Sequence, residues 1–143
     1  MCEGSDVIRF VSAIGLAIWL GTGLVLTLQP AHPLPGQVVE HNLVPLRTFA
    51  LYLDNLGSDF WMRQALGNLL LLLPVGLLGP HVLPWLDRWW RILPAAALVS
   101  LGIETIQLWV PNRSFDVDDV MLNAAGALLG FAGYRMLSGS SSR

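Results

Sequence analysis

The residues of this 143-residue chain with types and spacing suited to chemistry gather in one stretch. Five of its eighteen charges, Glu104, Arg113, Asp116, Asp118 and Asp119, fall within sixteen positions. Glu104 stands inside an apolar run and shares i, i+4, i+7 spacing with Ser100 and Gln107, which puts the three side chains on one helical face. A carboxylate inside such a run is costly in a bilayer and turns toward protein or a wet cavity. Asp119 and Asn123 lie four apart in the following segment, and Asn68 stands in an earlier apolar run. The chemistry on offer is of three kinds. Glu104 and Asp119 are candidate acid/base groups. Asp116 and Asp119 are oxygen donors of the kind a divalent cation takes. Arg113 suits bidentate recognition of a phosphate or carboxylate. Structural roles compete with each of these. Asp116 and Asp119 sit at a helix start, where carboxylates cap and compensate the dipole. Arg113 is a natural counter-ion for them. Glu104, Gln107, Asn68 and Asn123 can join spans by hydrogen bonds.

The elements that must position these groups follow from composition. Hydrophobic residues make up 54% of the chain and charged residues 13%, with mean hydropathy +0.58. Soluble domains average about 25% charged residues, so a water-soluble globule is excluded. All eight basic residues are arginine and the net charge is -2, which leaves no basic footprint for nucleic acid. The single cysteine, Cys2, and the scattered His32, His41 and His81 give no metal-ligand spacing. No metal and no cofactor is expected, and no Ser/His/Asp set or phosphate-cradling glycine loop stands out.

Four stretches are long and apolar enough to cross a bilayer, roughly Val7–Leu28, Gln64–Leu83, Ile92–Val110 and Val117–Leu137. An all-α, polytopic, single-domain membrane protein is therefore expected. The first stretch reads as a retained anchor, because Glu3 and Asp6 oppose Arg9 before it and no small-x-small cleavage pattern follows. With four spans, Arg9, Arg88, Arg91, Arg135 and Arg143 share the side of both termini, against Arg47, Arg63 and Arg113 opposite. The excess places both termini in the cytoplasm and the polar residues in the external third of the membrane. Trp85, Trp89 and Trp90 anchor one interface, Trp61 and Trp109 the other. The long first connection, Gln29 to Arg63, starts with the helix-averse Pro30–Gly36. It continues with Leu46, Phe49, Ala50, Leu53 and Leu56 at helical spacing, which predicts a short interfacial helix. Pro74 should bend the second span and free the carbonyl of Leu70. Gly126 and Gly130 form a small-xxx-small strip suited to close helix packing. The tail from Ser138 to Arg143 is polar and expected to fray.

These same residues resemble the VanZ-like family of small bacterial membrane proteins. The resemblance runs in four blocks: Asn42-Leu43-Val44-Pro45; Asn68 through Pro74 to Gly76; Ser100, Glu104 and Gln107; and Arg113, Asp116, Asp118, Asp119, Asn123, Gly126 and Gly130. It covers roughly Asn42 to Phe131. Leu46 and Leu72 depart from it, standing where many relatives carry phenylalanine. The family is named for a protein associated with low-level resistance to teicoplanin, an antibiotic that carries an acyl chain. The resemblance thus implies a setting in the bacterial inner membrane and a link to glycopeptide resistance.

Three functional classes follow. In the first, Asn68, Glu104, Gln107, Arg113, Asp116, Asp119 and Asn123 line an outward-facing pocket. It would bind an envelope lipid, a lipid-linked precursor or an amphiphilic antibiotic without catalysis. In the second, the chain is an intramembrane enzyme using Glu104 and Asp119 on a lipid-linked substrate; no nucleophile supports it. In the third, the polar cluster only staples the helices of an accessory subunit.

Overall fold

The computed structural model describes residues 3–31 and 40–140, the side chains of Glu3 and Ser140 excepted. Cys2, His32, most of the Pro30–Gly36 stretch and the last residues through Arg143 lie outside the described residues. The backbone of an apolar chain in lipid has to satisfy its own hydrogen bonds, and helices do this within one segment. Six are present among the described residues: α1 (Glu3–Thr27), α2 (Arg47–Asp54), α3 (Asp59–Leu71), α4 (Leu73–Val82), α5 (Trp89–Gln107) and α6 (Val117–Ser140). A single 3-10 turn, Pro84–Leu86, links α4 to α5.

Among the described residues, three stretches are long and apolar enough to cross a membrane: Gly4–Thr27, Asp59–Val82 and Val117–Gly139. The 19-residue α5 falls outside that set. It lies three residues earlier than the expected 92–110 run, and Arg91, Glu104 and Gln107 dilute its apolar content. Its Ser100, Glu104 and Gln107 are all buried, as the spacing predicts.

The second apolar stretch is one rod broken at Leu72. Pro74 has no N–H to give, and the turn tightens so that Val75 N–H donates to Leu72 O at 3.0 Å. Next to the Leu70 carbonyl, which loses its helical donor to Pro74, the Leu71 carbonyl is taken up by another helix. The Trp19 indole of α1 donates to it at 3.0 Å.

Helix α6 is the hub. It packs against α3, α4 and α5, while α1 leans on α4. Glycines set the closeness of the α6 seam. A Cβ at Gly126 would strike the Leu69 carbonyl, one at Gly130 the Leu73 carbonyl, and one at Gly76 the Ala127 carbonyl. Leu71, Leu72, Leu86, Ile92, Ala96, Ala127 and Phe131 fill the core between these helices. By contrast, 6% of the apolar window of α1 is buried, against 28% and 33% in the other two. Helix α1 therefore offers most of its surface to its surroundings. At the far end Arg91 bonds the Trp85 carbonyl at 2.8 Å and Arg88 lies 5.0 Å from the Trp90 ring, an arrangement suited to an interface.

Candidate functional site

The end of α1, the start of α3, the end of α5 and the start of α6 meet at one level. Gln107 Nε2 donates to Thr27 O at 3.0 Å, Ala31 N–H to Pro111 O at 3.3 Å, and Arg113 Nε to Gln29 O at 3.2 Å. Upon this level the first loop docks on the connection between α5 and α6, forming a latch.

Asn42 is the centre of the latch. Its N–H donates to Phe115 O at 2.8 Å, and its carbonyl accepts from Val117 N–H at 3.0 Å. Its side-chain amide donates to Thr48 Oγ1 at 3.0 Å, Asp116 Oδ1 at 2.9 Å and Asp118 Oδ2 at 3.3 Å. Three acceptors thus share two hydrogens. Beside it, His41 Nδ1 accepts from Phe115 N–H at 3.1 Å.

Asp118 does for α2 what that helix cannot do for itself. Leu46 precedes α2 with no side chain able to cap it. The first N–H groups of any helix lack internal partners. The Asp118 carboxylate, 2% exposed, accepts from Leu46 N–H at 2.6 Å, Thr48 N–H at 2.7 Å and Phe49 N–H at 3.2 Å. A negative group against the positive end of the helix is favourable, and it offsets the left-handed φ of 69° at Leu46.

Asp116 caps α6, accepting from Asp118 N–H at 2.8 Å, and also accepts the Thr48 hydroxyl at 2.6 Å. Glu104 holds this connection from below. It is 2% exposed and accepts from Asp116 N–H at 3.0 Å. Asn123, 1% exposed, donates to Ser100 Oγ at 2.7 Å and ties α6 to α5.

Next to the latch lie two cavities. The first, about 510 Å³, is a polar chamber lined by Asn42, Thr48 and Tyr52 from the first loop and α2. Phe60, Trp61 and Gln64 of α3 add to its wall, with Asn112, Arg113, Ser114 and Asp116. The second, about 430 Å³, is a slot between Trp19, Thr22, Gly23 and Leu26 of α1 and Gly67, Asn68, Leu70 and Leu71 of α3. Gln64, Gln107, Arg113 and Asp119 line both. Asp119 accepts the Tyr52 hydroxyl at 3.1 Å and faces the Asn68 side chain. Burial, then the Asp119 charge, pushes the Tyr52 phenol well above its usual range, so it stays a donor. Arg113 enters no ion pair among the described residues.

Of the residues the sequence singled out, Asn68, Gln107, Arg113, Asp116 and Asp119 come together around the cavities. Glu104 and Asn123 lie behind them in the helix bundle and line neither cavity. Thr48, Tyr52 and Gln64 do line the chamber, and sequence reading missed them. Thr48 and Tyr52 are the buried i, i+4 pair of α2, and that spacing was the available signal. The expected apolar face of α2 points outward, with Leu46, Phe49 and Leu53 exposed. Among the described residues no three His, Cys, Asp or Glu are placed to hold a metal ion.

No curated protein and no solved structure matches the chain. The family model described as VanZ/LLP1 matches residues 12–138. Its span takes in the latch, both cavities and the glycine seam, and the chain belongs to the VanZ/LLP1 family.

Proposed function

We propose that this protein binds an amphiphile, an envelope lipid or lipid-linked precursor, at an outward-facing polar pocket in the bacterial inner membrane. In this reading α5 is a fourth span, both termini are cytoplasmic, and α2 rests on the outer interface on its exposed leucines. The observation that carries the reading is Arg113. It borders both cavities and enters no ion pair among the described residues, while the neighbouring Asp116 and Asp118 carboxylates are taken up by hydrogen bonds. A guanidinium so disposed suits a phosphate or carboxylate. Asp119 beside it suits a hydroxyl or amine on the same head. The resemblance to a family named for teicoplanin resistance fits a role at the membrane surface where such drugs act.

Native mass spectrometry of the purified protein with added lipids tests the reading. Phosphate-bearing lipids should stay bound to the wild type and be lost from an Arg113→Ala, Gln64→Ala double variant. Equal retention by both proteins, or none by either, contradicts it. The outward orientation has its own test. A cysteine at Ser114, in a Cys2→Ser background, should react with an impermeant maleimide in whole cells; protection until lysis contradicts it.

A catalytic reading keeps one supporting observation, the Asp119 carboxylate exposed to both cavities with the Tyr52 phenol on it. Turnover of a lipid-linked phosphate that vanishes in Asp119→Asn would favour catalysis over binding alone.

A further inference from the structure

The chamber and the slot share a wall of Gln64, Gln107, Arg113 and Asp119, yet differ in character on either side of it. The chamber is faced mostly with side chains that bear hydrogen-bonding groups, with Leu51 and Phe60 among them. The slot is faced beyond its polar end by Trp19, Gly23, Leu26, Gly67, Leu70 and Leu71. Those residues belong to Gly4–Thr27 and Asp59–Val82, two stretches long and apolar enough to span a membrane. Trp19, Leu26 and Leu70 are each at least 44% exposed, so the slot is open along its flank at hydrocarbon depth. Its polar end holds a second unfilled demand: the Asn68 Nδ2 is buried and faces the Asp119 carboxylate without a well-formed hydrogen bond. A buried donor of this kind is costly unless an acceptor takes its N–H groups.

We propose that the two cavities form one bipartite site for a phosphate-bearing bilayer lipid, with an apolar chain in the α1/α3 slot, the phosphate at Arg113 and the polar head in the chamber under α2. This rests on the amphiphile reading above and adds to it the path of the chain. A lipid has its anion where head meets tail, and Arg113 stands where chamber meets slot. Gly67 has a reason in this arrangement. A Cβ there would meet nothing within 4 Å, so close helix packing does not require glycine. Its lack of a side chain keeps the slot open.

Chain-length discrimination tests the path. The purified protein is titrated with oleoyl lysophosphatidic acid and with its hexanoyl analogue. The wild type should bind the oleoyl lipid at least ~10-fold more tightly, since each buried methylene favours binding. Gly67→Leu fills the slot and should bring the two affinities within about threefold, as should Leu70→Trp if the first variant folds poorly. Arg113→Ala should weaken both lipids together and leave their ratio unchanged. If the wild type binds neither lipid, the amphiphile reading fails. If it binds both and Gly67→Leu keeps the wild-type ratio, that reading stands and the slot assignment is overturned. A change of oligomeric state in Gly67→Leu with lipid binding intact also overturns it, and makes the slot a helix-docking groove.

Discussion

The latch and the cavities lie side by side and share carboxylates and amides, but they use them in opposite ways. In the latch each carboxylate is bonded to the backbone or side chains of a distant segment. Asp118 reaches back to Leu46, Thr48 and Phe49, and Asp116 to Asn42 and Thr48. Around the cavities, Arg113 forms no salt bridge among the described residues, although its charge acts on the nearby Asp119, and the Asn68 Nδ2 lacks a well-formed hydrogen bond. Full bonding marks the latch, and spare bonding capacity at a cavity wall marks a place for a ligand; the Asn123 Oδ1, also unbonded, lies behind the cavities and lines neither. Residue type and membrane depth alone do not separate the two.

The largest effect should come from the latch. Asp118→Ala leaves the backbone N–H groups of Leu46, Thr48 and Phe49 short of an acceptor, and hydrogen bonds to a charged group contribute about 1.5–3 kcal/mol each. A loss of at least ~3 kcal/mol is expected, since such contributions do not add fully. Thermal unfolding in detergent should show it as a collapse of folded yield. A near-normal melting temperature would break the comparison. The glycine seam comes second. Gly126→Ala drives a Cβ into the Leu69 carbonyl and should cost about 1–3 kcal/mol. Gly133→Ala, whose Cβ would meet only the Leu77 side chain at 3.4 Å, should be close to neutral in the same assay. Third, Thr48→Val removes the hydroxyl that joins Asn42 to Asp116 and should cost about 1–2 kcal/mol.

Tyr52 lies between the two regions, one ring facing the chamber with its hydroxyl on Asp119. Its folded pKa is raised by burial and then by that carboxylate. Below the unfolded value of 10.0 both states hold the proton and stability does not depend on this group. Above it the unfolded chain releases the proton first, so stability falls as pH rises. The alkaline decline in melting temperature should begin near pH 10 and be shallower in Tyr52→Phe. Identical slopes in the two proteins would contradict the burial of the phenol.

Part of this was legible in the residues. The Ser100, Glu104, Gln107 spacing put three polar groups on one face, and that face is buried. Pro74 marked a break that lies at Leu72. Asp116 at the start of α6 read as a cap and acts as one. The role of Asp118 was not legible, because the N–H groups it serves lie about seventy residues earlier and nothing local announces them. Glu104 was the most conspicuous residue of the chain, and its carboxylate is bonded to the Asp116 backbone rather than turned to a cavity. The slot could not be read at all. It exists because α1 leans on α4 beside α3, and such a divergence depends on packing rather than on periodicity.

The central claim, that scaffold and site divide at the boundary between latch and cavities, has one direct measurement. Asp118→Ala and Arg113→Ala are purified beside the wild type, and each is assayed for melting temperature and for bound lipid phosphorus per folded molecule. Arg113→Ala gives up one hydrogen bond to the Gln29 carbonyl, which should cost about 0.5–1.5 kcal/mol, and should carry little lipid. Asp118→Ala should melt far lower. Arg113→Ala with wild-type lipid content, or destabilised as deeply as Asp118→Ala, would contradict the account.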